Sequence, residues 1–202
     1  DTAVLTGPSA LNYLWNTGDT TQTTEITSAG QYVIESDFPG CFLSYDTINV
    51  SVNTLPVATM SYVNQGEICL GDSIDLSLPS GLNYSWNSGD TTAVLTTSSS
   101  GLYYATVIDS NGCGSVSDTA NVTVNSLPSD SIFVSNSSLA FCDGDSTTIN
   151  GLPGLSYSWS NGDSTTSISV SSAGSYWAIA ANAAGCQKNT DTVQISVLTL
   201  PQ

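Results

Sequence analysis

The sequence predicts an all-β chain built as a tandem of small β-sandwiches, and three observations carry that expectation. One phrase is written three times, apolar residues alternate with polar ones wherever they cluster, and no stretch holds a helical period. The phrase is LNYLWNTGDTT at 11–21, LNYSWNSGDTT at 82–92 and LSYSWSNGDST at 155–165. A catalytic motif is needed once, whereas three copies describe a unit that is repeated.

Landmarks set the period. Trp15, Trp86 and Trp159 stand 71 and 73 residues apart, and the Asp-Thr pairs at Asp46, Asp118 and Asp191 repeat at 72 and 73. Leu-Pro closes each copy, at Pro56, Pro128 and Pro201. That is the length of one small domain, and it places three repeats at 1–56, 57–128 and 129–202. The first is short at its N-terminal side, because Asp1 aligns with Asp72. It therefore lacks a counterpart of the first strands expected around 58–63 and 131–134, and an open strand edge is expected there. The chain reads as a segment of something longer.

Within the middle copy, Ile74, Leu76 and Leu78 alternate with polar residues, followed by Leu82, Tyr84 and Trp86 and then by Val94 in a Thr-rich strand. Tyr103, Ala105 and Val107 form the next inward face. Ala120, Val122 and Val124 form the last, matched by Ile48, Val50, Val52 and by Val193, Ile195, Val197. This period of two marks half-buried strands. Tyr84 and Trp86 share one face, so Trp15, Trp86 and Trp159 are expected to plug the space between two sheets. The competing reading is an exposed ligand platform. Asn87-Ser88-Gly89-Asp90 reads as the turn that ends this strand, with Gly89 supplying a positive φ. Ser100-Gly101-Leu102-Tyr103 resembles the tyrosine corner of immunoglobulin-like domains, which places Tyr32, Tyr103 and Tyr176 in the core.

Composition narrows the functions. There are 17 acidic residues, one basic residue (Lys188) and no histidine, for a net charge of −16. Nucleic acid and anionic membrane both require clustered Lys or Arg and are not expected as partners. Without histidine the usual neutral-pH base and the commonest metal ligand are missing, so an enzyme is not expected. No apolar run is long enough to span a membrane. Calcium at the junctions between copies is a further possibility, with Asp143 and Asp145 the nearest to a dense carboxylate run.

The copies resemble the immunoglobulin-like and PKD-like repeats of large Bacteroidota surface proteins, including gliding-motility adhesins and other type IX-secreted proteins. The residues behind this are Cys69-Leu70-Gly71-Asp72, Tyr84-Ser85-Trp86, Gly89-Asp90-Thr91-Thr92, Gly101-Leu102-Tyr103, Gly112-Cys113 and the Val-Thr-Val strand before Pro128. The third copy matches at Cys142, Gly144, Asp145, Trp159, Gly162, Gly174, Tyr176 and Cys186. The resemblance implies extracellular stalk or adhesin architecture and brings no catalytic residues with it.

Cys69 and Cys113 are 44 residues apart, as are Cys142 and Cys186, while the first copy has only Cys41. Equal spacing without histidine argues for structural disulfides in an oxidising compartment rather than zinc. Pairing within each copy is expected, Cys69 with Cys113 and Cys142 with Cys186, if the sandwich lacks a strand between Trp86 and Gly101. The alternative staples neighbours as Cys69–Cys186. The partner of Cys41 is expected outside the chain.

Ten of the fourteen aspartates are followed by Ser or Thr and then by Ala, Ile, Val or Thr. The pattern is similar to the O-glycosylation sequon of Bacteroidota exported proteins. It implies glycans on Thr2, Thr20, Thr47, Ser73, Thr91, Thr119, Ser131, Ser146, Ser164 and Thr192. Asp-Ser/Thr pairs also make good turns by themselves. The function expected is a structural repeat segment of a long extracellular adhesin, stalk or filament on the bacterial cell surface. Its partners would be neighbouring repeats and other copies in a filament. The rival is a carbohydrate- or protein-binding module using the outward neighbour of the corner tyrosine, Tyr104 or Trp177, although burial under an adjacent strand or glycan is expected for both.

Overall fold

The computed structural model describes residues 2–40, 42–136 and 138–199. The protein is all-β, a tandem of immunoglobulin-like β-sandwiches whose one helical element is the 3-10 turn Asn64–Gly66 among the described residues. It divides into two compact units, Asp1–Pro56 with Ser110–Cys113, and Val57–Asp109 with Gly114–Gln202.

In the second copy Ile74–Ser77 pairs antiparallel with Val94–Thr97, and Ser61 adds an isolated bridge to Ser77. The facing layer has two parts. Asn83–Trp86 and Gly114–Val116 flank Ala105–Ile108. Gly101–Tyr103 and Glu67–Cys69 flank Ala120–Asn125, the latter in parallel. The incoming chain thus starts beside one sheet and crosses to the other. At the crossing Gly66 is buried at φ +87, and a Cβ there would meet the Asn121 carbonyl oxygen at 2.3 Å; no larger residue fits.

The third copy repeats this arrangement at an offset of 73 residues, except at its start, where a two-residue strand replaces the single Ser61 bridge and the 3-10 turn has no counterpart among the described residues. Phe133–Val134 pairs with Thr147–Asn150, which pairs with Ser167–Val170. Ala140–Cys142 runs parallel to Val193–Leu198, whose other neighbour is Gly174–Tyr176. Ser156–Trp159 and Gln187–Asn189 flank Ala178–Ala181. Each copy has its own core: Leu76, Trp86, Val107 and Val122 lie in one, Ile149, Trp159, Ile168 and Ile195 in the other.

The first copy shares the small sheet, Ala3–Thr6 with Thr23–Ile26. Its second sheet is different: Asn12–Trp15, Gly30–Phe38 and Phe42–Val50, in that order. Phe42–Val50 has one neighbour and forms an open edge among the described residues.

The thrice-written phrase is one folding device. The strand-ending tryptophan amide donates to the carbonyl of the turn aspartate, Trp15 to Asp19, Trp86 to Asp90 and Trp159 to Asp163, at 2.8–2.9 Å. The turn glycines Gly18, Gly89 and Gly162 have φ of +95, +92 and +89, where a side chain is strained. The indole N–H then donates to the carbonyl of the second residue after that aspartate, Thr21, Thr92 and Thr165, at 2.9, 2.8 and 2.7 Å. The buried tryptophan thereby has its polar edge satisfied. In the second copy the Thr92 hydroxyl and amide hold the Asp90 carboxyl below its ordinary pKa range.

Candidate functional site

Trp15, Trp86 and Trp159 are buried. Tyr32, Tyr103 and Tyr176 donate their hydroxyls to the carbonyls of Ser28, Ser99 and Ser172, four residues upstream, at 2.9–3.0 Å. These side chains hold the sandwiches together and are not available as a ligand platform.

The distinctive chemistry is covalent. Cys69 bonds to Cys186, 117 residues away, with their Cα atoms 5.6 Å apart. This overturns the within-copy pairs Cys69–Cys113 and Cys142–Cys186. The short topology is present, since Val94–Thr97 is the one strand between Trp86 and Gly101. Losing a strand there does not change where the last strand begins and ends. Cys113 precedes Gly114–Val116, and Cys69 pairs with Asn125 at the far end of Ala120–Asn125. An extended path over those residues covers up to about 40 Å, whereas disulfide Cα atoms lie within about 7 Å. The two cysteines of one copy occupy opposite poles. The near partner belongs to the next copy. Cys142 is exposed and unbonded, and Cys41 lies outside the described residues.

Two turns present the bonded sulfurs. On the acceptor side, Asp72 N–H donates to the Cys69 carbonyl (2.9 Å) and Leu70 N–H to the Asn125 carbonyl (2.8 Å). On the donor side, the Asn182 side-chain oxygen accepts from the amides of Ala184 and Cys186 at 3.1 and 3.0 Å, fixing a turn with Gly185 at φ +79. Its amide nitrogen donates across the junction to the Ser126 carbonyl (2.8 Å). One asparagine thus shapes the loop and docks it. Sequence reading missed Asn182, although Asx-x-x-Gly-Cys stands in every copy, beginning at Asp37, Asp109 and Asn182.

The linker is tied down as well. Asp191 N–H donates to the Asp130 carbonyl (2.9 Å), and the Lys188 ammonium lies 2.7 Å from the Asp130 carboxylate. The Lys188 hydrogen bond, with a smaller share from its charge, holds the Asp130 carboxyl below its ordinary range. Beside the staple runs an open groove whose carboxylates are Glu67 and Asp72, with no basic partner in its lining.

The ten Ser and Thr residues of the aspartate pattern, from Thr2 to Thr192, are all exposed. Their neighbours do the hydrogen bonding. The Thr92 hydroxyl lies within hydrogen-bonding distance of the Asp90 carboxylate (2.6 Å) and the Val94 carbonyl (2.7 Å), and the Thr165 hydroxyl of the Asp163 carboxylate (3.3 Å) and the Ser167 carbonyl (2.6 Å), each sharing its one proton between the two acceptors. Thr91 and Ser164, one position earlier, leave their hydroxyls to solvent. Tyr104 and Trp177 are 44% and 40% exposed, which corrects the expectation of burial under an adjacent strand. They face outward by alternation with the inward neighbours Tyr103 and Ala105, and Tyr176 and Ala178, while their backbone amides donate to the side-chain oxygens of Asn87 and Ser160. Among the described residues no three Asp, Glu, His or Cys side chains are grouped to hold a metal ion, and no helix is long and apolar enough to cross a membrane.

No protein-family model matches the chain, and no curated protein sequence matches it. Solved structures similar to it include extracellular domains 3–5 of Drosophila OTK, at 16% identity, covering 98% of this chain and 92% of that one with a TM-score of 0.42. A bacterial ice-binding adhesin of 1.5 MDa, in a structure concerned with its retention on the host cell surface, gives 14% identity, 98% and 91% coverage and a TM-score of 0.40. Murine CEACAM1b gives 14% identity, 70% and 100% coverage and a TM-score of 0.36. At such identities and scores no functional statement rests on these likenesses.

Proposed function

We propose that the chain is a structural segment of a long extracellular adhesin, stalk or surface filament in which immunoglobulin-like repeats are stapled covalently to their neighbours. The observation that carries this is the Cys69–Cys186 bond between consecutive copies. Tension entering the second copy at Glu67–Cys69 crosses the sulfur bridge and leaves through Gln187–Asn189 and Val193–Leu198. Residues 70–185, with most of both cores, lie outside that path. Single-molecule extension tests it. The oxidised chain should withhold the 117-residue loop from its extended length, roughly 400 Å at about 3.5 Å per residue, and a reductant should release it. Equal lengths in both states would contradict the proposal.

We place the parent among Bacteroidota exported proteins of the type IX-secreted, gliding-motility-adhesin kind, with glycans on the ten Asp-Ser/Thr sites. What supports this is the repeat motif set and the exposure of all ten hydroxyl residues. Intact-mass measurement of native material before and after β-elimination tests it. A mass equal to that of the bare chain would end the glycan part. A second reading, a carbohydrate- or protein-binding module, is favoured by the exposed rings of Tyr104 and Trp177. Glycan-array binding that is lost in Trp177→Ala would establish it. The charge of −16 disfavours nucleic acid in either case.

A further inference from the structure

Cys142 occupies in the third copy the place that Cys69 occupies in the second. Cys69 is in parallel register with Asn125, and Cys142 with Leu198; both offsets between copies are 73 residues. The turns that follow match bond for bond. Asp145 N–H donates to the Cys142 carbonyl (3.0 Å) as Asp72 does to Cys69 (2.9 Å), and Asp143 N–H donates to the Leu198 carbonyl (3.0 Å) as Leu70 does to Asn125 (2.8 Å). Gly144 and Gly71 have φ of +94 and +100. The two turns differ in occupancy: Cys69 is bonded to the next copy's Cys186, while Cys142 is exposed and unbonded.

We propose that the Cys142 turn is a second stapling site, which takes the Asx-x-x-Gly-Cys loop of a further repeat of the same kind joined in tandem. The proposal rests on the reading of the chain as a stapled tether. Two thiols become one disulfide, giving two protons and two electrons to a disulfide oxidant such as oxidised glutathione, which leaves as two thiols. The incoming Asx side chain would dock on the Thr199 carbonyl, the counterpart of Ser126. The incoming cysteine would lie 117 residues beyond Cys142, the spacing of Cys69 and Cys186.

The test uses the full chain extended after Gln202, which stands where Ser129 stands in the preceding period, by a copy of residues 130–202, in which the cysteine corresponding to Cys142 is changed to serine. The protein is oxidised in a glutathione buffer and digested with chymotrypsin without reduction, because a single lysine makes trypsin useless. The expected product joins the Cys142 peptide to the appended Gly-Cys peptide, with loss of the maleimide labelling that Cys142 shows in the unextended chain. Serine in place of the appended Gly-Cys cysteine should restore that labelling. A Cys142 peptide that stays free, glutathionylated or dimerised through Cys142 itself, in a digest that does contain the Cys69–Cys186 pair, overturns the second staple alone. A digest without Cys69–Cys186 overturns the stapled tether and this site with it.

Discussion

In the first copy Gly30–Phe38 and Phe42–Val50 form one unbroken hairpin of nine paired positions, whereas in the second and third the same stretch is cut into two short pairs in different sheets. The cut falls where a small hydroxyl is buried. Ser117 Oγ accepts the Ala105 amide (3.0 Å) and donates to the Asp118 carbonyl (2.8 Å). Thr190 Oγ1 does the same with Ala178 (2.9 Å) and Asp191 (3.0 Å). The side chain replaces a rung of the ladder and lets the last strand leave one sheet for the other. The first copy has Tyr45 at this position. A phenol cannot occupy a buried site beside a backbone amide, so the ring stays outside opposite Glu35, whose charge pushes its pKa above the ordinary value. One step inward the difference recurs: Val107 and Ala180 are replaced by Ser36, whose buried hydroxyl finds no partner. Copies that share their central phrase therefore diverge in their second halves through the size and polarity of two residues.

The largest expected effect separates the stapled pair from the first copy. Replacing Cys69 and Cys186 together by alanine should cost the second and third copies about 4–5 kcal/mol in the chain-entropy model. Denaturant melts should show these two copies shifting while Trp15 fluorescence keeps its midpoint. A smaller effect is expected from Ser117→Tyr, which imports the first copy's residue: overpacking and a lost amide partner should destabilise the second copy by about 2–3 kcal/mol. A wild-type midpoint in this variant would mean that the hydroxyl does not set the strand break. Ser36→Ala, which imports the third copy's choice, should instead stabilise the first copy by about 1–2 kcal/mol by removing an unsatisfied buried group.

The smallest effect concerns Asp130 and Lys188, a half-exposed pair that the first two copies lack. The folded carboxyl has its pKa depressed. Its contribution is therefore complete above the ordinary carboxylate range and disappears as pH falls through the folded value. Between about pH 4 and pH 2 the wild type should lose slightly more stability than Lys188→Ala. Parallel pH profiles would remove the ion pair from the account.

Much of this was readable in advance because it depends on local period. Alternation such as Ile74-Leu76-Leu78 and Ala120-Val122-Val124 marks which face is inward whatever the topology. The tryptophan and corner tyrosine follow from position within those strands. Glu67–Cys69 and Ala140–Cys142 were not legible. Three residues with one inward apolar side chain are too few for a periodic signal, and parallel pairing leaves no turn in the sequence. The role of Tyr45 was hidden too, since Tyr45, Ser117 and Thr190 all suit a strand and differ only once buried. Disulfide pairing was illegible for a different reason. Spacings repeat identically within copies and between them, so only the poles at which strands end could decide.

Those poles make non-reducing peptide mapping of the oxidised chain the most direct test of the account. Chymotryptic digestion should yield the Cys69 peptide joined to the Cys186 peptide, with Cys142 open to alkylation. A Cys69–Cys113 peptide together with a Cys142–Cys186 peptide would contradict it, making each copy a self-contained domain joined to the next by its linker alone.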